Sequence, residues 1–258
     1  MSVNAPRWLV EAPIAHRGLH DPSMGIIENT LAAAGAAIAR EISIECDVQL
    51  SQDGEAIVFH DATLDRLTTA RGPLARLKAL EIAEIAFKQC SERIPTLSDL
   101  LNRVDGKVPL ICEIKSNFDS DMRLAHRVAQ LAMGYSGPLA IKSFDPAIIA
   151  HLRASPTPPG PSDHPCPLGM VAEARYDSGH WSVLTPQQRS VCTNFLHLAE
   201  TRPDFLSWNV DDLPHPTPFL LNRLAKLPVL AWTVRTRAQK QVAREWADQV
   251  IFEGDVAA

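Results

Sequence analysis

The sequence predicts a closed (β/α)8 barrel, a TIM barrel, as a single domain over residues 1–258. Three observations carry this prediction. Short apolar runs rich in β-branched residues alternate with helix-period segments, the pattern of βα units on a parallel sheet. The runs show little polar alternation, as strands covered on both faces should. About eight such units share 258 residues, a length at which a (β/α)8 barrel closes as one domain.

In chain order the predicted strands are PIAHRG (13–18), ISIECDVQL (42–50), AIVFHD (56–61), VPLICEIK (108–115), PLAIKSF (138–144), PLGMVAEA (167–174), DFLSWNV (204–210), PVLAWTV (228–234) and DQVIFE (248–253). Between them lie predicted helices. NTLAAAGAAIAR (29–40) is alanine-rich, with Asn29 or Thr30 able to cap it, and TLSDLLNRV (96–104) opens with Thr96 or Ser98. DSDMRLAHRVAQLAM (119–133) has acids at its start and an apolar i, i+3, i+4 stripe. DPAIIAHLRAS (145–155), TPFLLNRLAK (217–226) and RTRAQKQVAREWA (235–247) follow the same pattern. Residues 62–95 break the rhythm and read as an excursion of short helices. SPTPPGPSDHPCP (155–167), with six prolines, reads as a surface connection.

Composition narrows the function classes. The net charge is −5 and no run of Lys or Arg occurs, which argues against nucleic acid. No stretch of about eighteen apolar residues is present, so no transmembrane helix and no stable membrane insertion are expected. The first residues lack a basic segment followed by an apolar core, so no secretory leader is expected. Five cysteines, an odd number without CxxC spacing, point to a reducing cytoplasm. Cys46 and Cys112, inside apolar runs, read as core residues.

The chemistry concentrates at strand ends. Glu45 and Asp47 are two apart on a strand, so both side chains share one face, and two like charges there require a positive group between them. In a parallel barrel reactive residues gather at the C-terminal ends of strands. Those ends carry His16 and Arg17, Glu45 and Asp47, His60 and Asp61, and Glu113 and Lys115. An HR or HD dipeptide or an E-x-D alone means little; their convergence on one mouth is the signal. Glu45, Asp47 and Glu113 offer only oxygen ligands, which suits one Mg²⁺ or Ca²⁺. Without a cation, at least one of the three is expected to hold a proton near neutrality. His16 and His60 are expected to stay free for general acid–base work. Arg17 and Lys115 are expected to bind phosphoryl oxygens. Trp232 and Trp208, near late strand ends, are candidates to line the mouth, whereas Trp8, Trp181 and Trp246 read as structural. His126 and His151 read as surface residues on helices, and His20 as a fringe of the site.

In this order, AHRG (15–18), ENT (28–30), IECDVQLSQDGEAIVFHDATLDRLT (44–68), IPTLSDLL (94–101) and EIK (113–115) resemble the glycerophosphodiester phosphodiesterases. The resemblance is dense in the first half and rests on barrel rhythm in the second. It implies a TIM barrel with a small insertion after the second barrel strand, matching residues 62–95. ISIECDVQL and AIVFHD then belong to one strand region, and nine candidates become eight. It implies Glu45, Asp47 and Glu113 as metal ligands, His16 and His60 as acid and base, and Arg17 and Lys115 on phosphate. The implied reaction splits a small glycerophosphodiester, such as glycerophosphocholine, into glycerol 3-phosphate and an alcohol. The departure is DQVIFEG (248–254), where members commonly end in a DGIITD-like turn; Glu253 stands near the usual acidic position. One rival is a lysophospholipase D- or sphingomyelinase D-like enzyme on the same barrel, which would want an apolar rim; the loops here are polar or proline-rich. Another is a non-catalytic phosphate-binding barrel, which could drop a histidine or a carboxylate; none is missing. The preferred alcohol and the oligomeric state are not legible.

Overall fold

In a computed structural model of the chain, residues 5–157, 159–161 and 165–254 are described. Of the proline-rich connection at 155–167, residues 158 and 162–164 lie outside them, as do residues 1–4 of the N-terminal segment. Among the described residues nine strands form where nine were predicted: β1 (Ile14–Ala15), β2 (Ser43–Leu50), β3 (Ala56–Val58), β4 (Leu110–Ile114), β5 (Leu139–Ser143), β6 (Leu168–Ala172), β7 (Phe205–Asn209), β8 (Val229–Val234) and β9 (Gln249–Phe252). Eight of them run parallel and close into a barrel, because β1 pairs with both β2 and β9.

The ninth, β3, is antiparallel to β2, with Val48 opposite Val58 and Leu50 opposite Ala56. β2 therefore rises past the barrel mouth, turns, and returns as β3. This changes the geometry expected for His60. It reaches the mouth on a strand that descends to it, not at the end of a barrel strand.

Helices alternate with the strands: α1 (Trp8–Glu11), α2 (Leu31–Ile38), α3 (Ala79–Ala83), α4 (Leu97–Val104), α5 (Arg123–Met133), α6 (Pro146–Ala154), α7 (Pro186–Thr193), α8 (Leu198–Thr201), α9 (Pro216–Ala225) and α10 (Arg237–Trp246). Thr30 caps α2 through Ala33 N, and Thr96 caps α4 in a reciprocal box with Asp99. Residues 62–95 pack Leu64, Leu74, Ile82, Phe87 and Ile94 on Ile57 and Phe59 of the hairpin, a cluster separate from the main core.

Strand alternation sorts the barrel into floor and mouth. Ile14, Ile111, Ala140, Phe205, Leu230 and Ile251 point inward and form an apolar floor. Gly169 leaves room for the Phe205 ring there; a Cβ would lie 2.2 Å from it. Two residues further along five of these strands, on the same face, stand His16, Glu113, Lys142, Trp232 and Glu253. Ile44, Cys46, Val48 and Cys112 point outward into the larger core under the helices. The two cysteines are buried and free, as their apolar setting predicted.

Candidate active site

The turn after β1 begins the site. Arg17 and Gly18 both have left-handed backbones, φ +58° and +80°. Gly18 is required there, since a Cβ would meet Ala33 Cβ at 2.8 Å. The turn aims Arg17 N at Glu45 Oε2, 3.1 Å away, and sends the Arg17 side chain to Glu28 at 2.6 Å. Its Nε lies 3.3 Å from Asp47 Oδ2 without the alignment of a hydrogen bond. Because Thr30 takes the cap, Asn29 is released: its Nδ2 donates to Asp47 Oδ2 at 3.0 Å and its Oδ1 accepts from Asp47 N at 3.2 Å.

Glu45, Asp47 and Glu113 come together as predicted, with one oxygen of each within 4.8 Å of the others. All three are buried. The charge they require is present. Lys115 Nζ lies 2.8 Å from Asp47 Oδ1 and 2.5 Å from Glu113 Oε1. Lys142, which the sequence reading did not single out, places its Nζ 3.0 Å from Glu45 Oε1 and 3.0 Å from Glu113 Oε2. Two of the three carboxyls are thereby held ionised without a cation. Burial alone would raise Glu113, but Lys115 and Lys142 outweigh it and hold the group at about 2. Asp47, equally buried, is driven well below the carboxylate range by Lys115 and Arg17. The lysines shift up in turn, attraction to the carboxylates exceeding the cost of burial.

Both histidines are oriented alike. His16 Nδ1 lies 2.5 Å from Glu253 Oε1, and Glu253 is held by Arg235 at 2.7 Å. His60 Nδ1 lies 2.8 Å from Asp61 Oδ1. Arg66, supplied by the 62–95 excursion, grips Asp61 with Nε at 2.6 Å and NH2 at 3.0 Å, and Glu28 with NH1 at 2.9 Å and NH2 at 2.7 Å. With Nδ1 tied to a carboxylate, Nε2 of each ring is left for proton exchange; that of His16 lies 4.0 Å from Glu45 Oε2. Burial lowers the His60 imidazole below its ordinary value against the opposing pull of Asp47.

These groups border one cavity of about 700 Å³ at the mouth. His16, Arg17, Asp47, His60, Glu113, Lys115 and Trp232 line it, and Glu45 lies beneath. Trp208 does not. It is fully buried among Leu206, Val210 and Phe195 and stacks on His215 at 5.0 Å. On β7, Phe205 points inward, so Trp208 three residues on points out; its assignment to the mouth is corrected. Trp181, read as structural, is a mouth residue instead. Its indole N–H donates to Glu173, and with Phe118, Phe144 and Trp232 it forms an aromatic wall. His126 is exposed on its helix, as expected, whereas His151 is half-buried on its own. Both His20 nitrogens are buried without a partner, and the cavity does not reach them.

The donor set fits a hard divalent cation. All candidate ligands are oxygens, their spacing matches one coordination sphere, and buried Glu45 Oε1 makes no hydrogen bond although Lys142 is close. A buried ionic cluster of this density is a poor route to stability, so packing gives no reason for it.

Comparison with known proteins agrees with this geometry. A glycerophosphodiester phosphodiesterase of Caldanaerobacter subterraneus subsp. tengcongensis is 42% identical over 112 residues, 40% of this chain and 44% of that protein. A putative glycerophosphodiester phosphodiesterase of Bacillus subtilis is 34% identical over 132 residues, 48% of this chain and 52% of that protein. The chain thus spans about half the length of the curated relatives it matches. An Oleispira antarctica phosphodiesterase, solved in complex with the product sn-glycerol-3-phosphate, superposes with a TM-score of 0.74 at 20% identity, covering 95% of this chain and 93% of that one. A Thermotoga maritima glycerophosphodiester phosphodiesterase superposes with a TM-score of 0.68 at 21% identity, covering 94% of each chain. These superpositions establish the fold, and residues 16–253 match the family described as Glycerophosphoryl diester phosphodiesterase. The chain belongs to that family.

Proposed function

We propose that the protein hydrolyses small, water-soluble glycerophosphodiesters in the cytoplasm, releasing sn-glycerol 3-phosphate and an alcohol. The observation that carries the reading is the convergence of two carboxylate-oriented histidines and an all-oxygen carboxylate triad on one cavity. Family membership supports the phosphodiester class, and the product bound by the Oleispira relative supports the glycerol 3-phosphate end. No helix among the described residues is long and apolar enough to cross a membrane.

Glu45, Asp47 and Glu113 would hold Mg²⁺ or Ca²⁺, which when bound supplies charge neutralisation and Lewis-acid polarisation at a phosphoryl oxygen. Arg17 and Lys115 border the cavity and bind the remaining phosphoryl oxygens, whose negative charge grows in the transition state. One histidine takes the proton of the attacking oxygen, from water or the glycerol 2-hydroxyl, through its Nε2. The other returns a proton to the leaving alcohol. Glu253 and Asp61 fix the tautomer of each ring and stabilise its charged form.

The wall opposite the phosphate groups suits the alcohol. Phe118, Phe144, Trp181 and Trp232 present ring faces and edges beside Glu173 and Asp211. Aromatic rings with nearby carboxylates favour a small cation such as choline or ethanolamine. The test is a substrate panel: glycerophosphocholine, glycerophosphoethanolamine, glycerophosphoglycerol and a lysophospholipid. Release of sn-glycerol 3-phosphate from the deacylated diesters is expected, the cationic head groups preferred. Cleavage of the long-chain lipid alone would overturn the substrate reading.

A further inference from the structure

Lys142 has no part in the scheme above, yet it carries a charge into the barrel with 2% of its side chain exposed. Its direction follows from β5 alternation, which turns Ala140 into the floor and Ile141 outward. Its Nζ stands midway between Glu45 Oε1 and Glu113 Oε2, 3.0 Å from each. A lysine ammonium offers donors only and cannot ligate a cation. Any divalent ion held by Glu45 and Glu113 must therefore contend with it for the same carboxylates, at a depth where like charges repel strongly.

Lys115 differs in a way that matters. It is 20% exposed on the cavity wall, so its stem can swing the ammonium toward water or an anion. Lys142 also borders the cavity, but with 2% of its side chain exposed its charge stays near Glu45 and Glu113 in either position. Without it, Glu45 would lose its nearest ammonium, and Glu113 would keep only that of Lys115.

We propose that Lys142 is a built-in competitor of the divalent cation. It neutralises Glu45 and Glu113 when no cation is bound, lowers the affinity of the triad, and yields on binding, so that the site exchanges its cation. The proposal rests on the reading of the triad as a cation site.

The test is Lys142→Met, which keeps the stem length and removes the charge. Mg²⁺ and Ca²⁺ titrated calorimetrically into chelator-stripped protein should bind the variant at least about tenfold tighter than the parent. The stripped variant should also melt below the stripped parent, with cation abolishing the difference. Equal or weaker cation affinity in the folded variant overturns the competition while leaving the triad as a cation site. No binding by parent or variant overturns the triad reading and this proposal together. Should the variant not fold without cation, the parent carries the test through the NMR signal of its lysine ammonium groups, that of Lys142 assigned by its change in Lys142→Arg. A slowly exchanging Lys142 ammonium that loses protection on saturation with Mg²⁺ supports the proposal, and one unaltered at saturation refutes it.

Discussion

Glu45, Lys142, Glu113, Lys115, Asp47, Arg17, Glu28, Arg66 and Asp61 form one chain of alternating charge that ends at His60. At this scale each histidine differs from a surface histidine in having one nitrogen fixed to a carboxylate and the other on the cavity. His16→Ala and His60→Ala should each lower turnover by about 10²-fold or more, the scale of lost general acid–base catalysis. Steady-state rates on folded variants check this, and a loss of only a few-fold would remove that residue from the acid–base pair. The inner face of β2 was legible because Glu45 and Asp47 mark it. Trp208 was misplaced because β7 carries no charge to fix its phase, although a count of two from Phe205 excludes it. Lys142 is visible in the sequence as a lone cation in the apolar run PLAIKSF, but without a second charge two residues away to mark the inner face of β5.

Elements position these residues, and the 62–95 excursion does so through Arg66. Its guanidinium clamps Asp61, which orients His60, and Glu28, which holds Arg17. Arg66→Ala should leave the fold intact and reduce turnover by about 10- to 100-fold, as loss of a supporting contact at a reaction centre does. Rates and circular dichroism on the variant test it; undiminished turnover would make the clamp incidental. A second prediction belongs to α8, which starts at buried His197. Burial lowers its imidazole to about 4 from the ordinary 6.5, so the unfolded chain binds the proton more readily. Stability from this group is full above pH 6.5 and is lost as pH falls toward 4, a change of about 3 kcal/mol. His197→Gln should flatten the fall of the melting temperature across that window; an identical pH profile in the variant would assign the loss elsewhere. Helices α7 and α8 escaped the sequence reading. PQQRSVCT has little apolar periodicity, and only Thr185 with Gln188, a capping box, announces α7.

In the whole molecule, strand order and closure followed from the βα rhythm, and the hairpin that brings His60 back to the mouth did not. That return depends on β2 outrunning its neighbours, a length relation between distant strands that no local pattern contains. The aromatic wall likewise draws Phe118, Phe144, Trp181 and Trp232 from four separate connections and strand ends. The proposed function depends on the carboxylate triad working through a divalent cation beside both histidines. The most direct test is the release of sn-glycerol 3-phosphate from glycerophosphocholine by chelator-stripped protein, before and after Mg²⁺ or Ca²⁺ is restored. Stripping is expected to abolish turnover, one of the two ions to restore it, and Glu113→Gln to raise the ion concentration required while the fold survives. Full activity in the stripped protein would remove the cation from the mechanism.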